Sequence, residues 1–381
     1  MKFLTVFASI IVLYSSCKED PQEPVLPDPT PILATFEGEI GTNDNSTITS
    51  NDNNILICGN TGIIGSGICL IKITKAGAQI WRKDIMVGNG TLASSIAEST
   101  DNDIFISGSD LAKSDGLLVK TNSTGDTLWT KSYGGVGVDY GDYIISLEDG
   151  NMLICGRTCK TTFGDSCGIF LMKVTTNGET IWTHTFLEEE EIVPYHLLQT
   201  QNGEYLITGM SVYSPFRRKL YLLKVNSLGI RIWSKIFESK SEQWGSSTAE
   251  LSNGDLITCG GAADTGYNQI LIVRTDGQGN VLWEKEFGED YQSETGEAIL
   301  VNFDGTFTMT GGSMEIHGGQ REVLILKVDQ NGNQLALNGF GRTLLDYGQN
   351  ILNDDNDDNL ITGQYNGKIF FTRTDNNCIF K

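Results

Sequence analysis

From residue 32 onward the chain alternates short apolar runs with polar turns and never sustains the 3.6-residue apolar period of a helix. Seven of the runs end in glycine, at Gly59, Gly108, Gly156, Gly209, Gly260, Gly311 and Gly363, spaced 49, 48, 53, 51, 51 and 52 residues apart. After each glycine come a loop and a second apolar run ending in a basic residue: Lys72, Lys120, Lys173, Lys224, Arg274, Lys327 and Arg373. A turn follows, as in Asn177-Gly178, and then a run containing Trp81, Trp129, Trp182, Trp233 or Trp283, with Ala336 in that place in the sixth repeat. Four residues beyond stands Ile85, Tyr133, Phe186, Phe237, Phe287 or Phe340. A further short run leads through a turn such as Asp149-Gly150 into the next repeat.

Four short runs rich in Val, Ile, Thr and aromatics predict four β-strands per repeat. Four strands in about 50 residues make the blade of a β-propeller, and 32–381 accommodates seven. Closing the ring is expected to remove sheet edges that would otherwise aggregate. The closure is also legible. From the strand aromatic to the next glycine the spacing is 23 at five junctions, and Phe36 to Gly59 is again 23. Pro31 to Phe36 therefore occupies a fourth-strand position, while Asp375 to Lys381 is too short for one. The expected fold is all-β, a seven-bladed propeller of four-stranded antiparallel blades, its last blade closed by the N-terminal strand. Cys378 to Phe380 share or cap that edge.

Gly-x-x-x-Trp recurs at Gly77 to Trp81, Gly125 to Trp129, Gly178 to Trp182, Gly229 to Trp233 and Gly279 to Trp283. It resembles the tryptophan-docking motif of quinoprotein-like propellers, which implies that each indole docks on the neighbouring blade. The related families include quinone-dependent dehydrogenases and a barrel-assembly lipoprotein of the outer membrane. Those dehydrogenases carry adjacent cysteines beside the cofactor; no Cys-Cys pair stands in this chain, so no quinone or other cofactor is expected.

The first residues are of a different kind. Lys2 precedes an apolar run, Phe3 to Tyr14, too short to span a bilayer and suited to a signal-peptide core. Ser15 and Ser16 lead to Cys17, which resembles the lipobox of bacterial lipoproteins and implies cleavage after residue 16 and acylation of Cys17. Lys18-Glu19-Asp20 resembles the export signal of surface lipoproteins. Residues 17–31, with five prolines from Pro21 to Pro31, read as a semi-rigid tether. The expected location is the outer membrane, lipid-anchored and exposed at the cell surface.

With 48 acidic against 27 basic residues, net charge −21, the chain lacks the clustered cations that nucleic acid requires. The seven basic residues ending the third strands lie too far from the axis to converge on one ligand. Each stem is expected to pack on a blade while its head meets an acid or a carbonyl. Cys58, Cys155 and Cys259 share one strand position and read as small buried hydrophobes. Cys159 and Cys167 flank the longest loop between second and third strands and are expected to form a disulfide in an oxidising compartment. Cys69 and Cys378 receive no role. His184, His196 and His317 are scattered, so no catalytic triad and no metal site are expected. The acidic runs Glu188 to Glu191 and Asp354 to Asp358 read as solvated loops.

The loops joining second to third strands, and one blade to the next, vary in length and must emerge on one face, where binding usually resides. There an aromatic recurs seven residues after the strand aromatic, as Tyr140, Trp244 and Tyr347, each followed by glycine; Asp139 and Asp346 precede two of them, and Tyr195 and Tyr291 are nearby. Inner strands line the channel, so these side chains are expected at its mouth, as a platform for a sugar or peptide. The expected function is non-catalytic binding of a glycan, peptide or envelope protein. Scaffolding of envelope machinery and a carboxylate-based lyase or hydrolase are the alternatives.

Overall fold

The structure is a computed structural model that describes residues 32–40, 46–61, 67–88, 90–135, 137–160, 167–214, 217–263, 267–288, 292–315, 321–343 and 346–381. The chain divides into a unit of residues 1–30 and a unit Pro31–Lys381. The expected signal peptide, Cys17, the tether and His317 lie outside the described residues.

The second unit consists of seven antiparallel sheets, each running from an inner first strand to an outer fourth strand. The inner strands of blades two to seven are Thr91–Glu98, Asp139–Ser146, Glu191–Gln199, Glu242–Glu250, Gln292–Val301 and Tyr347–Asn353. In blade one that place is shared by two short strands, Glu39–Ile40 and Thr47–Thr49, both paired to Ile55–Asn60. The outer strand of blade seven is the N-terminal Ile32–Glu37, paired to Lys368–Thr374 with Glu37 opposite Lys368. Blade seven thus joins the two ends of the unit, as the spacing predicts.

There is no single core. Apolar side chains gather into seven clusters, one in each gap between neighbouring blades. Between blades three and four, for example, Leu153, Cys155 and Leu171 meet Ile207, Tyr221 and Leu223. Cys58, Cys155 and Cys259 are buried in these gaps as expected, and so is Cys69. Cys159 and Cys167 oppose each other in the hairpin register and are disulfide-bonded.

One face of the ring is built from a repeated device. Each basic residue ending a third strand pairs with an acid in the turn between first and second strands of its own blade. The pairs are Lys72–Asp52, Lys120–Asp103, Lys173–Asp149, Lys224–Glu204, Arg274–Asp255, Lys327–Asp304 and Arg373–Asp358. Several also reach the next blade: Lys120 donates to the Thr176 carbonyl at 3.0 Å and Arg274 to that of Gln330 at 2.9 Å. Asp354 and Asp358 are therefore buried partners of Arg373 rather than a solvated run. Glu188 likewise pairs with Arg231 and accepts the Tyr221 hydroxyl, so it too departs from the solvated reading.

Above these pairs each indole meets the glycine of the next blade's third-to-fourth turn. A Cβ on Gly125 would lie 3.1 Å from the Trp81 ring, on Gly178 2.8 Å from Trp129, on Gly229 2.8 Å from Trp182 and on Gly332 3.0 Å from Trp283. In blades one to five the fourth strand bulges at the residue before the indole. The extra residue is thereby turned outward: Ile80, Leu128, Ile181, Ile232 and Leu282 are exposed while the indoles tuck in. Closing the ring does not remove sheet edges, contrary to the sequence-based expectation. Among the described residues every blade keeps its fourth strand as an edge, and the bulges interrupt the flat surface on which another strand could pair.

Gly178 and Gly150 separate backbone conformation from docking, because both have positive φ (71° and 80°) but nothing lies within 4 Å of a Cβ on Gly150. Gly150→Ala should cost about 1 kcal/mol, from the left-handed backbone alone. Gly178→Ala should cost at least about 1 kcal/mol more, because its methyl would displace Trp129. Urea unfolding of the two variants checks this; equal losses would mean that the indole does not depend on a bare glycine.

Candidate functional site

The face opposite the turns carries the variable loops, and its geometry starts from the inner strands. Tyr140, Trp244 and Tyr347 stand at equivalent places near their beginnings, opposite Arg157, Gly261 and Gln364. The glycine after each lets the previous blade approach. A Cβ on Gly141 would lie 2.7 Å from the Gly108 carbonyl oxygen, and one on Gly245 2.7 Å from Thr208. Immediately beyond, the inner strands of blades two to seven bulge, which leaves Ser94, Asp142, Tyr195, Ser246, Glu297 and Gln349 as the extra residues. A bulge at one level in successive strands re-aims one side chain per blade.

On blades three to five these positions assemble an arc of rings and guanidinium groups. The Arg157 guanidinium lies 4.2 Å from the centre of the Tyr140 ring, and its Nε and Nη2 donate to the two carboxylate oxygens of Asp142 at 3.0 and 3.1 Å. Burial alone would lower the pKa of Arg157, but Asp142 facing it more than offsets this, so the net shift is upward. One blade on, Arg218 lies 4.6 Å from the centre of the Trp244 ring and donates to Glu242 at 2.8 Å. Tyr195 is within electrostatic reach of both arginines, and burial pushes its phenol up to about 12. Its hydroxyl lies 3.6 Å from the Met210 sulfur. Each guanidinium is stacked on a ring and held by a carboxylate, which fixes its plane.

The other half of the mouth is a cavity of about 670 Å³ between blades five and two by way of six, seven and one. Glu39, Glu297, Asp346, Tyr347, Gln349 and Gln364 are among its walls, and none of its lining residues among the described residues is Lys, Arg or His. A second cavity of about 440 Å³ opens toward the turn face, where Ile48, Ile96, Tyr143 and His196 meet.

The structure brings Tyr140, Tyr195 and Trp244 into one arc and sets Tyr347 apart, in the cavity. Tyr291 lies outside the described residues. Asp139 is buried and its carboxylate accepts the Gly135 amide at 2.7 Å, which braces its own loop. Asp346 accepts the Asn366 amide at 2.9 Å and still forms part of the cavity wall. The sequence reading passed over Arg157, Arg218, Asp142 and Glu242. The available signal was register: both arginines fall outside the seven third-strand basic positions that the turn pairs occupy. Among the described residues, no group of three or more His, Cys, Asp or Glu side chains is arranged to hold a metal ion.

No protein-family model and no curated protein match the chain. Among solved structures it is similar to puromycin hydrolase, at 10% identity and TM-score 0.58, covering 90% of this chain and 53% of that one, about half its length. It is also similar to the Neurospora crassa Pan2 WD40 domain, at 9% identity and TM-score 0.52, covering 92% and 91%. A putative glucose dehydrogenase of Thermus thermophilus aligns at 14% identity and TM-score 0.45, covering 73% and 93%. These likenesses concern the fold alone.

His196, edge-on to Tyr143 at 5.1 Å between ring centres, is driven by burial down to about 3. Unfolded, it takes a proton near pH 6.5. Between those values the unfolded chain binds the additional proton, so stability falls as pH drops from 6.5. Most carboxylates titrate lower. His196→Leu should therefore flatten the dependence of unfolding free energy on pH between 6.5 and about 4.5; an unchanged slope would show that the imidazole is protonated in the fold.

Proposed function

We propose that this chain is a lipid-anchored surface protein whose propeller binds a glycan or a peptide at the variable-loop mouth without turning over a bond. The observation that carries this reading is the arc Tyr140–Arg157–Tyr195–Arg218–Trp244. It contains two flat, pre-stacked cation–ring pairs on neighbouring blades, each oriented by its own carboxylate. Such a surface presents π-faces and in-plane N–H donors that need no reorganisation on binding, which lowers the entropic cost of association. Sugar rings and peptide planes are matched to both features. Asp142 and Glu242 are tied to the arginines, a role of positioning rather than of acid–base exchange. For the anchor, support comes from the apolar run before Cys17 and the acidic residues after it.

Trp244→Ala tests the site. Profiled on glycan and peptide arrays, the variant should lose about tenfold or more of whatever the parent chain binds, as truncated aromatic anchors do. Its thermal midpoint should stay close to the parent's. Unfolding of the variant would make Trp244 core and remove the centre of the site. The anchor has its own test: in the native bacterium Cys17→Ala should move the protein from the membrane fraction to the soluble fraction, and retention there would rule out a lipid on that thiol.

A further inference from the structure

The arc on blades three to five is built of ion pairs, and in each pair the cation is the more exposed member. The Arg157 side chain is 31% exposed against 10% for Asp142, and Arg218 is 37% exposed against 21% for Glu242. Opposite charges cancel at a distance, but close to a pair the nearer group dominates. Each pair therefore offers its positive end to a ligand, in a chain whose net charge is −21.

The hydrogen-bonding capacity points the same way. A guanidinium has five N–H donors and no acceptor. Asp142 takes the Nε and Nη2 of Arg157 at 3.0 and 3.1 Å, and Glu242 takes those of Arg218 at 3.3 and 2.8 Å. Neither Nη1 has a hydrogen-bond partner among the described residues. Tyr195 is the extra residue of the blade-four bulge, so the backbone aims it. Burial is the largest influence on its phenol and pushes it up to about 12; Arg157 and Arg218 pull it down, while Asp142 and Glu297 add to the rise. The hydroxyl thus stays protonated at neutral pH, and the Met210 sulfur that it meets at 3.6 Å is a weak acceptor, which a carboxylate would displace. The supports are stiff as well. The Trp244 indole lies against Gly261, where a Cβ would stand 2.3 Å from the ring, and carries Arg218 at 4.6 Å from its centre.

We propose that the arc binds the carboxylates of an acidic polysaccharide that bears a uronate on successive sugars. One carboxylate accepts from Nη1 of Arg157, another from Nη1 of Arg218, and the Tyr195 hydroxyl donates to the bound ligand beside them. The arginine–ring–carboxylate unit occurs once within blade three and again across blades four and five, so a ligand that repeats its charge meets a surface that repeats its receptor. A uronate holds its carboxylate on a rigid ring, whereas an acidic peptide must order a flexible side chain and backbone for each contact. The proposal rests on the arc being the binding site and names the class of its ligand.

The test is calorimetric titration of the purified chain with defined oligomers of galacturonate, glucuronate and mannuronate. The comparison ligands are the same oligomers after reduction of their carboxyl groups, dextran sulfate and an oligoglutamate peptide. At least one uronate oligomer should bind, and its carboxyl-reduced form should bind about tenfold more weakly or worse. Tyr195→Phe removes only a hydroxyl and Arg218→Lys keeps the charge but loses the planar fork; each should weaken uronate binding about tenfold with an unchanged thermal midpoint. Lys83→Gln removes an equal charge from the outer strand of blade one and should have no effect. Equal binding of the reduced oligomer, equal or tighter binding of dextran sulfate, tighter binding of the glutamate peptide, or parental affinity in both arc variants would each overturn the proposal. Array binding that is lost in Trp244→Ala but includes no uronate would overturn it while leaving the arc as a site. Absence of any Trp244-dependent binding would remove both.

Discussion

Everything in this ring depends on one contact made repeatedly: an indole of one blade lying against a bare glycine in a turn of the next. A sheet has two apolar faces, and no blade can bury both without a neighbour on each side. The gaps between blades are filled by separate apolar clusters, but apolar packing is tolerant of sliding. The docked indole is not tolerant, because its ring occupies the volume a Cβ would take. The basic residue paired beside it makes the same point in electrostatic terms. Lys173 lies opposite Trp182 in the sheet and bonds to Asp149 in its own blade. Lys120 binds a turn acid of its own blade and a carbonyl of the next. Each blade is thus located in angle as well as in distance.

That division of labour explains why one face repeats and the other does not. The turn face is committed to holding the ring: its cation recurs at one position in all seven blades, and each finds an acid at one of two places in the first-to-second turn. The loop face is relieved of that task. There the inner strands need only a glycine for close approach and a bulge beside it, and the remaining positions are open to vary. The second-strand position that holds Arg157 is Asn60, Ser109 or Met210 in other blades. Chemistry at the mouth is the part of the repeat that its own packing does not dictate.

For the same reason the fold was far more legible in the sequence than the site. Strand order, blade number and the closing role of Ile32–Glu37 follow from spacing, because packing imposes the spacing. The Tyr140, Trp244 and Tyr347 positions were legible through the glycine that follows each. What they face was not. Arg157 and Arg218 reach the arc from a second and a third strand, and only the twist of the blades sets which side chains meet at the axis. Asp139 and Asp346 precede their aromatics in sequence, yet an inner strand alternates its faces, so both turn toward loop amides. Cys378 was placed at the closing edge but its thiol had no role, because its partner is an absence: the indole missing at Ala336.

The missing indole is where the logic of the repeat can be seen to compensate. The last turn of the chain is built like the six before it, with Cys378 at the positive-φ position that glycine fills elsewhere (φ 62°). A side chain there would collide with an indole, but the sixth blade offers Ala336, and the thiol is buried with Phe340 and Phe370 in the space that results. Loss of the large residue on one blade and gain of a side chain on the next keep the gap filled, at the cost of a strained backbone position. At the following junction Gly77 meets Leu33 and Ala34 of the closing strand and the edge of the Phe371 ring instead of an indole. Both exceptions therefore fall on either side of blade seven, the blade assembled from the two ends of the unit. The cavity at the mouth spans those same blades. Where the chain must close on itself the regular contact gives way, and the departure from symmetry that closure requires is also what allows one side of the mouth to differ from the other.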